Sequence, residues 1–194
     1  MRHSFLLIAL SLALSACTTG GLRLTYNPAS APEKITDAPT GVEIATVTDT
    51  RKTAPNRLGV IRDGFGIPLK LLESDTTVAD LVRESLAAGL RARGITPGGA
   101  GPATRLSAIV RRLDANQFVR REAHAEIEIR IADATGQTRW TRVYVADAID
   151  GSLFALDTAV FASVEDLRKV LENTLTQVVD KALDDPALRA ALKP

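Results

Sequence analysis

The sequence has few of the residues that most often carry out chemistry in enzymes. Its 194 residues contain one cysteine, two histidines, one methionine and one tryptophan. A single cysteine excludes a disulfide within the chain, and His124 is the only histidine beyond the N-terminal segment, which leaves too few ligands for a Cys/His zinc site. The chain also has no phosphate-binding loop, nucleophile elbow or calcium-loop spacing. We therefore expect no metal, no cofactor and no enzymatic activity.

Charge of one sign and long apolar runs are lacking as well. The chain has 24 basic and 23 acidic side chains and a formal net charge of +1. Without an excess of positive charge, nothing directs the protein to nucleic acid. Residues Phe5–Leu14 are almost wholly apolar. This run is shorter than the about 20 residues that a transmembrane helix needs, so we expect no transmembrane helix.

The N-terminus has the layout of a signal peptide that ends in a cysteine. Arg2 and His3 precede the apolar run, and the run closes with Leu14, Ser15, Ala16 and Cys17. This order of charge, apolar run, small residues and cysteine resembles the lipobox of bacterial lipoproteins. The alternative is an ordinary secretory signal with an incidental cysteine.

The lipobox resemblance implies a lipid anchor. In that family signal peptidase II cuts before the cysteine, the thiol of Cys17 would carry diacylglycerol, and the new amino group would take a further acyl chain such as palmitate. Two or three acyl chains make a stable anchor, since each buried CH₂ contributes about 0.8 kcal/mol. Thr18 stands where aspartate favours inner-membrane retention. We therefore expect the outer membrane, with the domain facing the periplasm, and the inner membrane is the alternative.

The rest of the chain predicts one domain behind a tether. We assign residues 1–16 to the signal peptide, 17–40 to a lipidated, proline-rich linker with a brief strand at 22–26, and 41–194 to the domain. Capping boxes at Thr77 and Ser163 begin two amphipathic helices, and strict alternation over Ala123–Ile131 predicts a strand with one buried face. The other expected elements are strands at 42–47, 106–113 and 139–147, a bent hairpin at 58–72 and a short helix from Pro186.

These elements indicate an α+β fold. We expect an antiparallel or mixed sheet of about four to five strands, with the two amphipathic helices packed on one face. The segment from Leu58 through the first helix to Leu106 is a candidate crossover between parallel strands.

One cluster of basic residues is a candidate anion site. Arg111, Arg112, Arg120 and Arg121 flank an expected turn at 114–118, and an antiparallel hairpin would bring them to one end of the sheet. Arginine clusters bind phosphates, although a charged strand end that keeps the protein soluble is the alternative. Asp49 and Arg51 follow the first strand and are interpreted as a local turn rather than a ligand site.

The order of elements resembles one lipoprotein family over nearly the whole chain. A lipobox and linker are followed by a strand ending in Asp49-x-Arg51, a glycine-containing hairpin over 58–66, a helix ending in Arg93-Gly94, three strands and a C-terminal helix. This resembles the YajG-type family of bacterial lipoproteins, with a looser likeness to auxiliary lipoproteins of ABC-type lipid transporters and to lipopolysaccharide-assembly lipoproteins. The resemblance implies location and architecture, and no reaction.

We therefore predict a membrane-anchored, non-enzymatic binding or assembly subunit of the cell envelope. The alternatives are an auxiliary lipoprotein of a lipid or lipopolysaccharide transport system and, in another class, an unrecognised periplasmic hydrolase. An envelope protein that adds a strand to the edge of the 58–72 hairpin is the first expected partner. An anionic lipid bound by the four arginines is the second.

Overall fold

Six strands and three helices follow one another along the described part of the chain. The computed structural model describes residues 21–35, 39, 41–98, 104–150 and 163–193, so the predicted lipobox lies outside the described residues. The elements in chain order are β1 (Val42–Asp49), β2 (Arg57–Arg62), β3 (Pro68–Glu73), α1 (Val78–Ala92), β4 (Thr104–Gln117), β5 (Arg121–Ala132), β6 (Thr138–Asp150), α2 (Val164–Leu183) and α3 (Pro186–Leu192).

The strands form a single mixed sheet organised around β4. On one side β4 pairs antiparallel with β5, and β5 pairs antiparallel with β6. On its other side the first half of β4 pairs in parallel with β1, and its second half pairs in parallel with β2. β3 completes this side as an antiparallel neighbour of β2. The expected α+β fold with a mixed sheet is confirmed, as is the parallel relation between β2 and β4.

The two long helices pack on one face of the sheet, as expected from their apolar stripes. α2 lies against β4, β5 and β6, and α1 lies against β1 and α2. Both predicted capping boxes begin these helices: the amide of Asp80 donates to Thr77 Oγ1 at 3.1 Å, and that of Asp166 donates to Ser163 Oγ at 3.3 Å. The predicted buried face of β5 is confirmed, because Ala123, Ala125 and the three isoleucines are buried, and on the opposite face Glu128 is buried as well.

The segment before β1 contains less strand than expected. Leu22 forms only an isolated parallel bridge with Ser74, beyond the end of β3. The following residues bind α2 instead of a strand: Thr25 Oγ1 donates to Glu172 at 2.5 Å, and Tyr26 Oη donates to Asp180 at 2.6 Å. Polar contacts to a helix therefore replace the predicted pairing.

A buried arginine joins this N-terminal segment to both long helices. Arg93 is fully buried and binds Asp184 through two hydrogen bonds of 2.8 Å, while it also donates to Asp180 and to Tyr26 Oη. Burial acts to lower the pKa of Arg93, but its hydrogen bonds to Asp184 and Asp180 outweigh that effect and raise it. Burial, reinforced by the hydrogen bond to Asp180, raises the pKa of Tyr26 to about 12. The sequence identifies Arg93 only as the end of a helix and gives no sign of these contacts.

Candidate functional site

The sheet has a gap where two strands share one edge of β4. Pairing with β1 ends at Val110, and pairing with β2 begins at Ala115. The side chain of Arg51 fills this gap: its Nη1 donates to the carbonyl oxygens of Arg57 and Leu113, each at 2.7 Å. Arg51 thus links β2 to β4 where no backbone pairing does so.

Asp49 holds Arg51 in position. Its carboxylate accepts from Arg51 Nε and Nη2 at 2.9 Å and from the Arg51 amide at 3.0 Å. The Arg51 side chain is only 6% exposed and that of Asp49 13% exposed. The interpretation of Asp49-Thr50-Arg51 as a local turn agrees with this geometry, and the motif has a structural role in closing the sheet.

A cavity of about 290 Å³ opens beside this gap. Its lining includes five basic side chains, from Arg51, Lys52, Arg57, Arg111 and Arg112. Four of the five are bound to carboxylates: Arg51 to Asp49, Arg57 to Glu73, Arg111 to Glu126 and Glu128, and Arg112 to Asp114. Carboxylates of the protein therefore neutralise most of the positive charge of the cavity. This makes the cavity a weaker candidate for an anion site.

The four arginines proposed as an anion site do not form one cluster. β4 continues to Gln117, which pairs with Arg121, so the turn lies at 118–120 and not at 114–118 as expected. Arg112 pairs with Glu126 in the middle of the strands, about 16 Å along β5 from Arg121 at the end of the hairpin. The expectation of four guanidinium groups at one sheet end is corrected to two separate pairs.

Each of these arginines has an acidic partner. Arg120 binds Glu122 at 2.6 Å, and Arg121 lies 3.3 Å from Asp166 and 3.4 Å from Asp150. Arg111 shares the buried carboxylate of Glu128 with Arg130. Hydrogen bonds from Arg130 and then Arg111 hold the pKa of Glu128 below its usual range, although burial opposes them.

His124 lies on the sheet face opposite the helices. Its Nδ1 is 2.6 Å from Asp147 Oδ1 on the neighbouring strand, and its Nε2 is 3.9 Å from Glu122 Oε2. Among the described residues, no serine, threonine or cysteine side chain forms a hydrogen bond with His124. Within the same part of the chain, no group of three or more acidic, histidine or cysteine side chains is arranged to hold a metal ion.

Large apolar side chains are exposed in three places, one of which is the edge strand β3 with Leu69 and Leu71. On the face without helices, β6 exposes Val143, Val145 and Ile149, and we call this set the β6 strip. At one end of the sheet, Phe65 and Ile67 stand on the turn between β2 and β3, and Phe118 and Val119 follow β4. The sequence reading proposed the hairpin over 58–72 as an edge, and β3 is an edge strand of the sheet.

No helix in the described ranges is both long and apolar enough to cross a membrane.

Comparison with solved structures shows the fold. The chain is similar to a Xanthomonas campestris protein of the family DUF330, with 15% identity, a TM-score of 0.55, and 88% of this chain and 94% of that one covered. A lipoprotein from Caulobacter crescentus is 21% identical, with a TM-score of 0.40 over 59% of this chain and 82% of that one. Lipoprotein GNA1162 from Neisseria meningitidis is 9% identical, with a TM-score of 0.30 over 73% of this chain and 99% of that one.

Comparison of sequences places the chain in a family. No curated protein sequence matches it. A family described as uncharacterized lipoprotein matches residues 33–193, which is almost the whole of the folded part. This supports a bacterial lipoprotein, while the narrower YajG-type resemblance stays a prediction. The chain belongs to this family of uncharacterized lipoproteins.

Proposed function

We propose that this lipoprotein is an acyl-anchored, non-enzymatic subunit that binds a protein partner at the cell envelope. Acylated Cys17 holds it at the membrane, and Thr18 favours the outer membrane with the domain in the periplasm. The observation that carries the binding role is the sheet face without helices, where the β6 strip stands beside a row of charged side chains on β5.

The charged groups beside the β6 strip are already paired with one another. His124 contacts Asp147, Glu122 binds Arg120, and Glu128 is shared by two arginines. Paired groups are poorly placed to exchange protons with a substrate, but they present a fixed pattern of charge. An apolar centre with a polar rim is the usual composition of a protein interface.

The binding role is tested by crosslinking in intact envelopes followed by affinity capture of the tagged protein. We expect the wild type to capture a defined partner and the double variant Val145→Asp/Ile149→Asp to lose it, because two charges would be buried in the interface. Thr141→Asp is the matched control, since Thr141 lies on the same strand and the same side and is exposed. Equal capture by all three proteins would contradict the assignment of this face.

The hydrolase alternative rests on the His124–Asp147 contact and has its own test. A screen of hydrolase substrates with the purified protein should give no turnover. Turnover that is lost in both His124→Ala and Asp147→Asn would overturn the non-enzymatic assignment.

A further inference from the structure

The protein builds the same turn twice. In the turn between β2 and β3, Asp63 Oδ1 accepts from the amides of Phe65 at 2.9 Å and Ile67 at 2.8 Å. In the turn between β5 and β6, Asp133 Oδ1 accepts from the amides of Thr135 at 2.9 Å and Gln137 at 3.0 Å. Each turn is also closed by backbone bonds of 2.9 to 3.0 Å and has a glycine with positive φ at its fourth position.

The two turns differ in the side chains that they display. Phe65 is 92% exposed and Ile67 59% exposed, whereas the matching positions of the other turn are threonine and glutamine. Because the same hydrogen bonds form with polar residues there, turn geometry does not require the apolar pair. The ordered turn nevertheless holds both apolar side chains out in solvent, which indicates a ligand.

A second apolar turn lies at the same end of the sheet. Ile61 of β2 pairs in parallel with Gln117 of β4, so the turns that follow these two strands leave the sheet in the same direction. The turn after β4 exposes Phe118 and Val119. We call the four side chains Phe65, Ile67, Phe118 and Val119 the apolar sheet end. The polar turn at 133–137 is at the opposite end, because Arg105 near the start of β4 pairs with Ala132.

The described chain begins only a few residues after Cys17 and makes its first contacts at the end of β3. Leu22 forms backbone hydrogen bonds with the last residue of β3 and with a residue just after it. Its amide donates to the carbonyl oxygen of Glu73 at 2.7 Å, and its carbonyl oxygen accepts from the amide of Asp75 at 3.3 Å. The bridge is parallel, so at this contact Leu22 runs in the same direction as β3, which leads away from the turn at 63–67. Four residues lie between Cys17 and Leu22, and the five Cα–Cα steps from one to the other span at most about 18 Å. The same five-residue step back along β3 from Ser74 covers about 16 Å and reaches Leu69.

We propose that the apolar sheet end inserts into the interfacial layer of the bilayer that holds the acyl chains, as a second attachment point beside Cys17. The proposal rests on the acylation of Cys17 in the proposed function. A tether of at most about 18 Å confines the domain to the membrane surface, and a distance of the same order along β3 separates Ser74, beside Leu22, from the exposed apolar groups. Apolar side chains at membrane surfaces are buried to a depth of about 5 to 10 Å, which two short turns can reach.

The test uses the full-length acylated protein in phosphatidylethanolamine and phosphatidylglycerol vesicles. Phe65→Cys carries an environment-sensitive fluorophore, and Thr135→Cys at the matching position of the polar turn is the control. The thiol of Cys17 is blocked by its lipid and does not react. We expect a blue-shifted emission at position 65 that is quenched when the vesicles contain brominated acyl chains, and neither effect at position 135.

A second pair of variants separates apolar contact from mere proximity. Adding Ile67→Gln and Val119→Thr to the labelled Phe65→Cys protein should reduce the quenching, whereas Val143→Thr and Val145→Thr on the β6 strip should leave it unchanged. The proposal is overturned if position 65 is no more quenched than position 135. It is also overturned if the blue shift grows with protein concentration without lipid quenching, because that result assigns the apolar sheet end to a second copy of the chain.

The two proposals fail in different ways. Flotation of the protein with vesicles and the mass of its N-terminal peptide report the anchor, and the fluorophore reports insertion. Acylated protein that floats without quenching at position 65 contradicts the insertion alone. Protein with a free Cys17 that does not float contradicts the anchor, and with it the insertion.

Discussion

Arg51 replaces backbone pairing at the point where β1 and β2 leave part of β4 without a neighbour. It binds two backbone carbonyls and is itself held by the Asp49 carboxylate. A guanidinium suits this position because its five donors lie in one plane and stay charged at any physiological pH. The nearby cavity is therefore better explained by the gap between β1 and β2 along β4 than by a ligand pocket.

Replacing Arg51 by alanine should destabilise the domain strongly. The change leaves the largely buried Asp49 without its partner, and breaking one side of a buried pair costs about 3–5 kcal/mol. Arg105→Ala is the control, because Arg105 forms a half-exposed pair with Glu43 at 3.6 Å and such pairs contribute about 0–1 kcal/mol. Urea unfolding measures the free energy of unfolding of both variants. Equal losses in the two variants would show that Arg51 does not bridge the sheet.

Acid should weaken the contacts at the C-terminal end of α2. The hydrogen bond from Arg93 holds the pKa of Asp184 below its usual range, and that from Tyr144 does the same for Asp185. The unfolded chain therefore binds protons that the native state does not. The stabilisation is present above about pH 5 and is lost as the pH falls through the native pKa values.

Urea unfolding at a series of pH values measures this effect. Between about pH 5 and pH 3 we expect the midpoint of the wild type to fall more steeply than that of Asp184→Asn, which has no carboxyl group to protonate at this position. Curves of the same steepness would assign the acid sensitivity to other groups.

At the scale of elements, the features that depend on nearby residues could be predicted from the sequence. Capping boxes at Thr77 and Ser163 and the alternation along β5 are local patterns, and the structure has the helices and the strand there. Of the long-range pairing, only the parallel relation of β2 to β4 could be predicted, from the crossover through α1. Nothing near β1 or β2 in sequence shows that both share one edge of β4.

The arginine hypothesis failed for a related reason. It assumed that β4 ended near Leu113, whereas pairing with β5 carries the strand to Gln117 and leaves Arg111 and Arg112 in mid-strand. The bulge between Val110 and Arg112 is set by this pairing and has no signature in the sequence. The role of Arg93 was missed because its partners Asp180 and Asp184 lie on a distant helix.

Gly59 of β2 should not tolerate a larger side chain. A Cβ there would lie 2.0 Å from the carbonyl oxygen of Ala115, so β2 would have to move away from β4. We expect Gly59→Ala to cost at least about 1–3 kcal/mol, the usual range for overpacking. Gly64→Ala is the control, since a Cβ there meets nothing within 4 Å. Thermal unfolding compares them, and equal stability of the two variants would contradict the close approach of the strands.

At the scale of the whole molecule, we propose separate roles for three surfaces. The helices cover one face of the sheet and form the core, whereas we assign the β6 strip on the other face to a protein partner and the apolar sheet end to the membrane. The membrane assignment requires that the chain is held by lipid at Cys17 through a short tether, and the partner assignment rests on the β6 strip.

The attachment at Cys17 is tested most directly by mass spectrometry of the N-terminal peptide of the protein isolated from separated inner and outer membranes. Our account predicts a peptide that begins at Cys17, carries the mass of diacylglycerol with or without an additional acyl chain, and comes from the outer membrane. Cys17→Ser should lack this modification and leave the membrane fraction. A wild-type protein that is soluble, with an unmodified Cys17, would contradict the account.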